Sequence, residues 1–535
     1  MSELETEPLI NREISPPPRL GEDAGSLQNA LSDRDIKNDV LPESSTTGRN
    51  IGLGSAYILV ISRVIGSGIF AMPGTIIQGV GSPGLALTLW VIGALVAWAD
   101  LAIAMEYGCM LPRSGGVKVY LEYTYRRPKF LASTLVAVQA VLLGFTATNC
   151  IVFAKYMLFV SHTEPTDLTT KLLASGLLLA ITIVHGCFYK TGIWIQNFLG
   201  WIKVALVTFM IVTGFFAVLL RSNMSQIPHV SVSNLAWRDL WTDSDWAWNS
   251  ISTGFFKIFY SYAGLSNINN VLNEVKDPIR TIKIVGPAAL VTACTMYLLI
   301  NVAYLLVIPL ESIKEGRELI AALFFERVFG PGFGGVFLPI AVALSAAGNV
   351  MVVTFSLARV NQEVARQGFL PFAQLLASSR PFNAPMGGLI VHFVPSLLVI
   401  VLPPSSTVYA FIADIEGYAG QFFAVAVSLG LIWLRWKEPD LHRPYKVWLP
   451  AVGLVSILSA FLICAPLFPS NENSDVSFFY ATYAIVAISI LAFGVIYWFI
   501  WTRALPWFGG YRLKEEADIL IDGTTVTRLV REKQD

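Results

Sequence analysis

The feature that most constrains this chain is a series of twelve apolar windows, each long enough to cross a hydrocarbon core. They run over 51–73, 84–111, 131–160, 172–189, 193–220, 250–273, 284–309, 333–358, 386–402, 406–434, 447–467 and 477–502. A crossing needs about 20 apolar residues, and inside lipid every backbone N–H and C=O must be satisfied within the segment. The windows are therefore expected to be helices; the alternating pattern of an outer-membrane barrel is absent. Only 14% of the 535 residues are charged and 54% are hydrophobic, against about 25% charged in an average soluble domain. The expected fold class is an all-α integral membrane protein with 12 transmembrane helices.

Residues 1–50 are Ser/Pro-rich, nearly free of aromatics and more acidic than basic, which predicts a disordered tail. They lack the basic start and apolar run of a signal peptide, so no cleavage is expected. Residues 504–535 read as a short charged tail. Loop Lys and Arg set the orientation. With the N-terminus in the cytosol, sixteen fall in cytosolic loops: Arg113, Lys118, Arg126, Arg127, Lys129, Lys190, Lys276, Arg280, Lys283, Arg359, Arg366, Arg380, Arg435, Lys437, Arg443 and Lys446. Six fall opposite: Lys171, Arg221, Arg238, Lys314, Arg317 and Arg327. Both tails are thus expected in the cytosol. The sequon at Asn223 falls in an outer loop, too close to the membrane surface for modification to be the expectation.

Two windows carry interruptions. The first contains Ile65-Gly66-Ser67-Gly68-Ile69-Phe70, with Pro73-Gly74 after it. Glycines lower the cost of unwinding and let a ligand approach the backbone. A half-helix starting after such a break presents unpaired N–H groups and the positive end of its dipole, which suits a carboxylate. The bland alternative is a small-residue packing face. The sixth window contains Tyr260-Ser261-Tyr262-Ala263-Gly264. Windows one and six correspond if the chain is two five-helix repeats inserted with opposite topology, and paired broken helices mark a transporter's midplane site. N–H groups on the first and carbonyls on the sixth fit an amino acid.

Ionisable residues inside the windows are the next signal. Lys203 lies ten positions from the nearest end of the fifth window, and a central charge costs roughly 2.5–3.5 kcal/mol on insertion scales. It must face a partner or a wet cavity, or lose its proton. Lys155 and Lys257 lie nearer the outer ends and could snorkel. Asp100, Asp414 and Glu416 could serve a proton pathway. Arg63, just before the first break, is placed to pair with a carboxylate near a cytosolic gate. No hydrolase, P-loop or zinc-protease motif competes. Five cysteines, all in apolar runs, read as buried small hydrophobes without a disulfide framework or metal spacing. No enzyme activity and no cofactor are expected. The balance of 37 basic and 37 acidic side chains argues against a nucleic-acid partner.

Six stretches, in order, carry a family resemblance: V-I-G-S-G-I-F at 64–70, M-E-Y-G-C-M-L-P-R-S-G-G at 105–116, Q-N-F-L-G-W-I-K at 196–203, N-E-V-K-D-P-I-R-T-I at 273–282, A-R-V-N-Q-E-V-A-R-Q-G-F-L-P at 358–371 and R-P-Y-K-V at 443–447. With them the chain resembles the L-type amino acid transporter branch of the amino acid–polyamine–organocation superfamily, and within it fungal high-affinity methionine permeases. The resemblance implies a five-plus-five inverted-repeat transporter core over about 51–434, with broken helices 1 and 6, and two further helices over 447–502. It implies that Gly66, Ser67 and Gly68, flanked by Ile65 and Ile69, bind the substrate carboxylate. Carbonyls around Tyr260 and Ser261 would take the ammonium, and Tyr260 would be the outer aromatic gate. Lys203 would stand where sodium-coupled relatives hold a cation, bridging helix one to helix eight around Thr354 and Ser356, which implies sodium independence.

Two departures bear on this reading. Animal members of the branch join a heavy chain through a cysteine after the third span; the loop 161–170 has none, so no disulfide-linked partner is expected there. Leu265, Ser266, Asn267 and Gln421 replace bulkier residues of many relatives, so the side-chain pocket is expected to differ. The expected function is import of L-methionine across the plasma membrane by alternating access, with proton symport. A broader neutral amino acid exchanger is the nearest alternative, and a receptor signalling through its tails is the alternative of a different class. Lipid surrounds the body, and the cytosolic tails suit ubiquitin-ligase adaptors.

Overall fold

The computed structural model describes residue 49 and residues 51–66, 68–144, 146–220, 237, 239–316, 319–366, 370, 372–377, 384–402, 405–467, 481–519 and 525–533. The N-terminal tail before Arg49, Ser67 and the sequon at Asn223 lie outside the described residues.

The apolar windows fold as helices. The first holds α1 (Leu53–Val64) and α2 (Gly68–Val80) on either side of the Ile65–Gly66 interruption. Then come α3 (Pro83–Met110) and a short α4 (Val117–Thr124). The start of α3 is set by Pro83 in its first turn and by the Ser82 hydroxyl, which accepts from the Leu85 N–H at 3.4 Å. The third window divides into α5 (Leu131–Leu142) and α6 (Ala147–Val160), an interruption the sequence reading does not anticipate. Next are α7 (Asp167–Cys187), α8 (Tyr189–Leu220), α9 (Trp248–Tyr262) and α10 (Pro278–Val307). The second half of the chain adds α11 (Leu310–Gly316), α12 (Ile320–Gly332), α13 (Leu338–Arg366), α14 (Ala373–Leu376), α15 (Met386–Val401) and α16 (Ser405–Lys437). It ends with α17 (Leu449–Ile463), α18 (Thr482–Phe499) and α19 (Leu505–Gly509).

Among the described residues, ten helical spans are long and apolar enough to cross a membrane. The other two predicted windows hold shorter helices: α9 of 15 residues, which ends at the second interruption, and α15 of 16. Large apolar side chains such as Leu95, Leu179, Val291, Ile457, Ile488 and Phe493 face outward. On a protein in water such a surface would form an unusually large apolar patch; around helices of this length it is the face lipid requires.

One buried carboxylate is paired across the body. Glu106 on α3, with no exposed surface, accepts from the Arg435 guanidinium of α16 and from the Val447 N–H at 2.8 Å, and Arg443 stands 3.6 Å away. Two of the family stretches, 105–116 and 443–447, therefore meet at one buried ion cluster. Arg443 also donates to the Leu434 and Glu438 carbonyls, capping the C-terminal end of α16.

Two expectations are corrected. Residues 504–535 are not a plain tail: Tyr511–Ile519 (β1) pairs antiparallel with Thr525–Lys533 (β2), and the register sets Glu516 opposite Arg528 and Arg512 opposite Glu532. Opposite charges across a ladder favour that register. The Asp522-Gly523 pair before a β-branched run was the overlooked signal. Nor are all cysteines buried: Cys109 and Cys150 are, Cys187 and Cys294 are half-buried, and Cys464 is exposed at the end of α17.

Candidate functional site

The two predicted interruptions face each other. At the first, Ile65 leaves helical geometry with ψ 84° and the Gly66 N–H turns back to the Val64 carbonyl at 2.8 Å. The first turn of α2 then has N–H groups without an intrahelical acceptor. At the second, α9 ends at Ala263, and Gly264 takes a φ of 105° that side chains other than glycine rarely adopt. Two 3₁₀ turns, 267–270 and 272–274, carry the chain on to α10.

Glycine at the first interruption is a matter of room. A Cβ on Gly66 would come within 2.5 Å of the Asn349 amide, and one on Gly68 within 2.9 Å of the Ser261 hydroxyl. Gly264 likewise leaves space for the stem of Arg63, which lies against it. The two breaks therefore touch through Gly68–Ser261 and Arg63–Gly264.

Tyr297 on α10 ties them together. Its hydroxyl lies 2.7 Å from the Val64 carbonyl and 2.7 Å from the Ser261 carbonyl. The ring is fully buried, packed edge-on against Trp90 and beside Tyr262. One hydroxyl has one proton to donate, so it can satisfy only one of the two carbonyls at a time. The other remains an acceptor facing the break. Tyr260, the predicted aromatic gate, is held by α6: its hydroxyl is 2.8 Å from Thr148 Oγ1 and accepts from Asn149 Nδ2 at 3.3 Å.

Lys203 on α8 has no exposed surface, and its ammonium donates to the Ser62 carbonyl of α1 at 2.8 Å. A Cβ on Gly348 of α13 would lie 3.1 Å from its Cε, so the side chain lies between α1 and α13. The predicted partners differ, however. Asn349, not Thr354 or Ser356, is the α13 residue at this place, donating to the Arg63 carbonyl at 2.7 Å. Thr354 is turned toward His392 at 3.3 Å, and Ser356 donates to the Val352 carbonyl and accepts from Asn267 Nδ2 at 3.2 Å. Ser356 lies seven residues beyond Asn349, about 10 Å along a helix, which is why it meets the segment after the second break instead.

Other embedded charges are also relocated. Lys257 does not snorkel; it pairs with Asp414 on α16 at 3.3 Å, both side chains largely buried. Asp100 is exposed on α3. Glu416 is half-buried on α16, within electrostatic reach of Arg63. Gln421 accepts from the Ser459 hydroxyl of α17 at 2.9 Å, so its side chain serves the contact with α17 rather than the space between the breaks. Below the breaks, Ile51 forms a parallel bridge to Val275, Arg359 pairs with Glu274, and Ser114 Oγ donates to Asn273 at 2.5 Å.

Sequence reading thus located both breaks and Lys203 but missed Thr148, Asn149, Tyr297 and Asn349. Each is an ordinary polar residue inside an apolar window, and a buried polar side chain in lipid was the signal available for all four.

The arrangement brings N–H groups, carbonyls and an enclosed lysine together around the two breaks. Residues 51–492 match the amino acid permease family. The chain is 31% identical over 486 residues to the low-affinity methionine permease of Saccharomyces cerevisiae, covering 90% of this chain and 88% of that one. It is 32% identical over 501 residues to the high-affinity methionine permease of the same yeast, covering 92% and 86%. The human cystine/glutamate transporter is 26% identical over 494 residues, covering 90% and 92%. The chain is a multi-pass membrane transporter, not an enzyme, and belongs to the amino acid permease family.

Proposed function

We propose that this permease imports L-methionine across the plasma membrane, coupled to proton entry and independent of sodium. The observation that carries the reading is the pair of facing helix breaks joined by Tyr297. The first turn of α2, beginning at Gly68, offers N–H groups and a positive dipole end to the carboxylate. The Val64 and Ser261 carbonyls, of which the Tyr297 proton covers one, offer an acceptor to the ammonium. Tyr260 closes the outer side. A thioether side chain asks for apolar surface and little hydrogen bonding, and both yeast relatives are methionine permeases.

Lys203 is the group we assign to coupling. Its Nζ is held by the Ser62 carbonyl, which supports sodium independence, and no carboxylate among the described residues pairs with it. The loop charge asymmetry supports a cytosolic location for both termini, with the bridge at Ile51 and Val275 on the cytosolic side of the site. The body works by alternating access, rocking about the breaks within an inverted-repeat core. A broader neutral amino acid exchanger is the second reading, favoured by the likeness to transporters named for other amino acids.

Uptake of labelled L-methionine into proteoliposomes tests the site. Gly66→Leu should abolish it, and undiminished uptake in that variant would overturn the assignment. Competition by the twenty amino acids separates the readings, since one methylene is worth only about 1–3 kcal/mol of discrimination. Leucine competing as well as methionine favours the broader transporter.

A further inference from the structure

The unanticipated interruption of the third window is built around a histidine on another helix. α5 ends at Leu142 and α6 begins at Ala147, with Leu143, Gly144 and Thr146 outside both, which frees backbone groups in a place without bulk water. Such groups must find partners. Residues of α15 supply them. His392 Nδ1 lies 2.8 Å from the Gly144 carbonyl, and Ser396 Oγ accepts from the Thr146 N–H at 3.4 Å. The Thr146 and Thr354 hydroxyls each stand 3.3 Å from His392 Nε2. The ring is 1% exposed. A carbonyl oxygen only accepts, so Nδ1 carries the proton, and neutral Nε2 is left to accept from one or the other of the two hydroxyls. Both ring nitrogens are thereby engaged.

The interruption matters because the residues that hold the outer gate come directly after it. Thr148 and Asn149, which grip the Tyr260 hydroxyl, lie in the first turn of α6. Each residue taken out of a helix rotates everything beyond it by about 100°, so the shape of the break decides where these two side chains point.

We propose that His392 is a positioning residue for transport: it locks the α5–α6 interruption and so fixes the grip of Thr148 and Asn149 on Tyr260. The inference rests on the reading of Tyr260 as the outer gate. Substrate never touches His392; its effect reaches the site through the backbone of 143–149.

The test uses the full chain, with His392→Ala, His392→Asn and Tyr260→Phe alone and with His392→Ala combined with Tyr260→Phe. Asparagine can place an amide N–H near the Nδ1 position and keep the bond to Gly144. His392→Ala should raise the KM for labelled L-methionine about fivefold or more with little change in kcat, the scale of one lost buried hydrogen bond. His392→Asn should stay within about twofold of wild type, and His392→Ala should add little on top of Tyr260→Phe. Hydrogen exchange of the amides at 146–150 should quicken in His392→Ala and not in His392→Asn, a readout independent of transport. Ser396→Ala removes only the Thr146 acceptor and serves if His392→Ala does not fold; the same amides should exchange faster. Unchanged exchange in these variants, or effects of His392→Ala and Tyr260→Phe that multiply, would overturn the inference. Tyr260→Phe without any effect on uptake overturns the gate reading instead, and the exchange measurements then decide on the His392 lock by themselves.

Discussion

Two lysines inside the body, Lys203 and Lys257, meet the membrane's demand on a buried charge in different ways. Lys257 on α9 is paired with a carboxylate, Asp414, at 3.3 Å. Lys203 on α8 is held by a backbone carbonyl, that of Ser62, at 2.8 Å. A paired charge is settled: its partner neutralises it, and the pair fastens α9 to α16. A charge held by one carbonyl is uncompensated, so its protonation can change as the helices around it move. The contrast is the ground on which a structural part is proposed for Lys257 and coupling for Lys203, although both look alike as isolated cations in apolar windows.

The contrast can be broken most severely at the ion pair. Lys257→Met leaves Asp414 buried and unpaired and should cost about 3–5 kcal/mol of stability. Lys257→Met with Asp414→Asn should recover most of that, because the orphan charge is gone. Thermal unfolding in detergent measures both, and a double variant no more stable than the single one would make Lys257 something other than a structural partner. Lys203→Met should behave in the opposite way. It removes a charge and leaves no counter-ion behind, so unfolding should be little changed while uptake falls roughly tenfold to a hundredfold, the worth of a charge-assisted hydrogen bond. Loss of stability in place of loss of uptake would place Lys203 in the same class as Lys257.

Smaller effects sharpen the boundary of the site. Tyr297→Phe keeps the aromatic packing on Trp90 and removes the proton shared by the Val64 and Ser261 carbonyls. A neutral hydrogen bond is worth about 1 kcal/mol, so a several-fold rise in KM is expected from initial-rate uptake. An unchanged KM would mean that the two carbonyls are not where the ammonium binds. Gln421→Ala should be the mildest, within about twofold of wild type in uptake, since its side chain faces Ser459 on α17. A marked change in substrate preference there would return Gln421 to the pocket.

Features of this fold were legible in proportion to how strongly each is written in the sequence. Apolar length is written plainly, so most of the helices were expected in their observed places. Glycine breaks are written almost as plainly, and Gly66, Gly68 and Gly264 marked both interruptions. The α5–α6 break has only Gly144, with β-branched Thr146 and Thr148 after it, and a lone glycine is too common in membrane helices to signal a stop. The side chain bonded to its Gly144 carbonyl, His392, lies 248 positions away, a distance no local pattern spans. Lys203 stood out because charge is rare in lipid, but which α13 residue meets it depends on helix phase and translation. An error of five to seven residues along α13 exchanged Asn349 for Thr354 and Ser356. Polar residues such as Tyr297 and Asn149 carry no charge to single them out, and only the fold gathers them.

The central claim is that the facing breaks and Lys203 make a sodium-independent, proton-driven methionine importer. Labelled L-methionine uptake by the wild-type chain in sodium-free proteoliposomes, with and without an inwardly directed proton gradient, tests it most directly. The account predicts accumulation above the outside concentration only when the gradient is imposed. No uptake under either condition, or uptake that appears only when sodium is added, would contradict it.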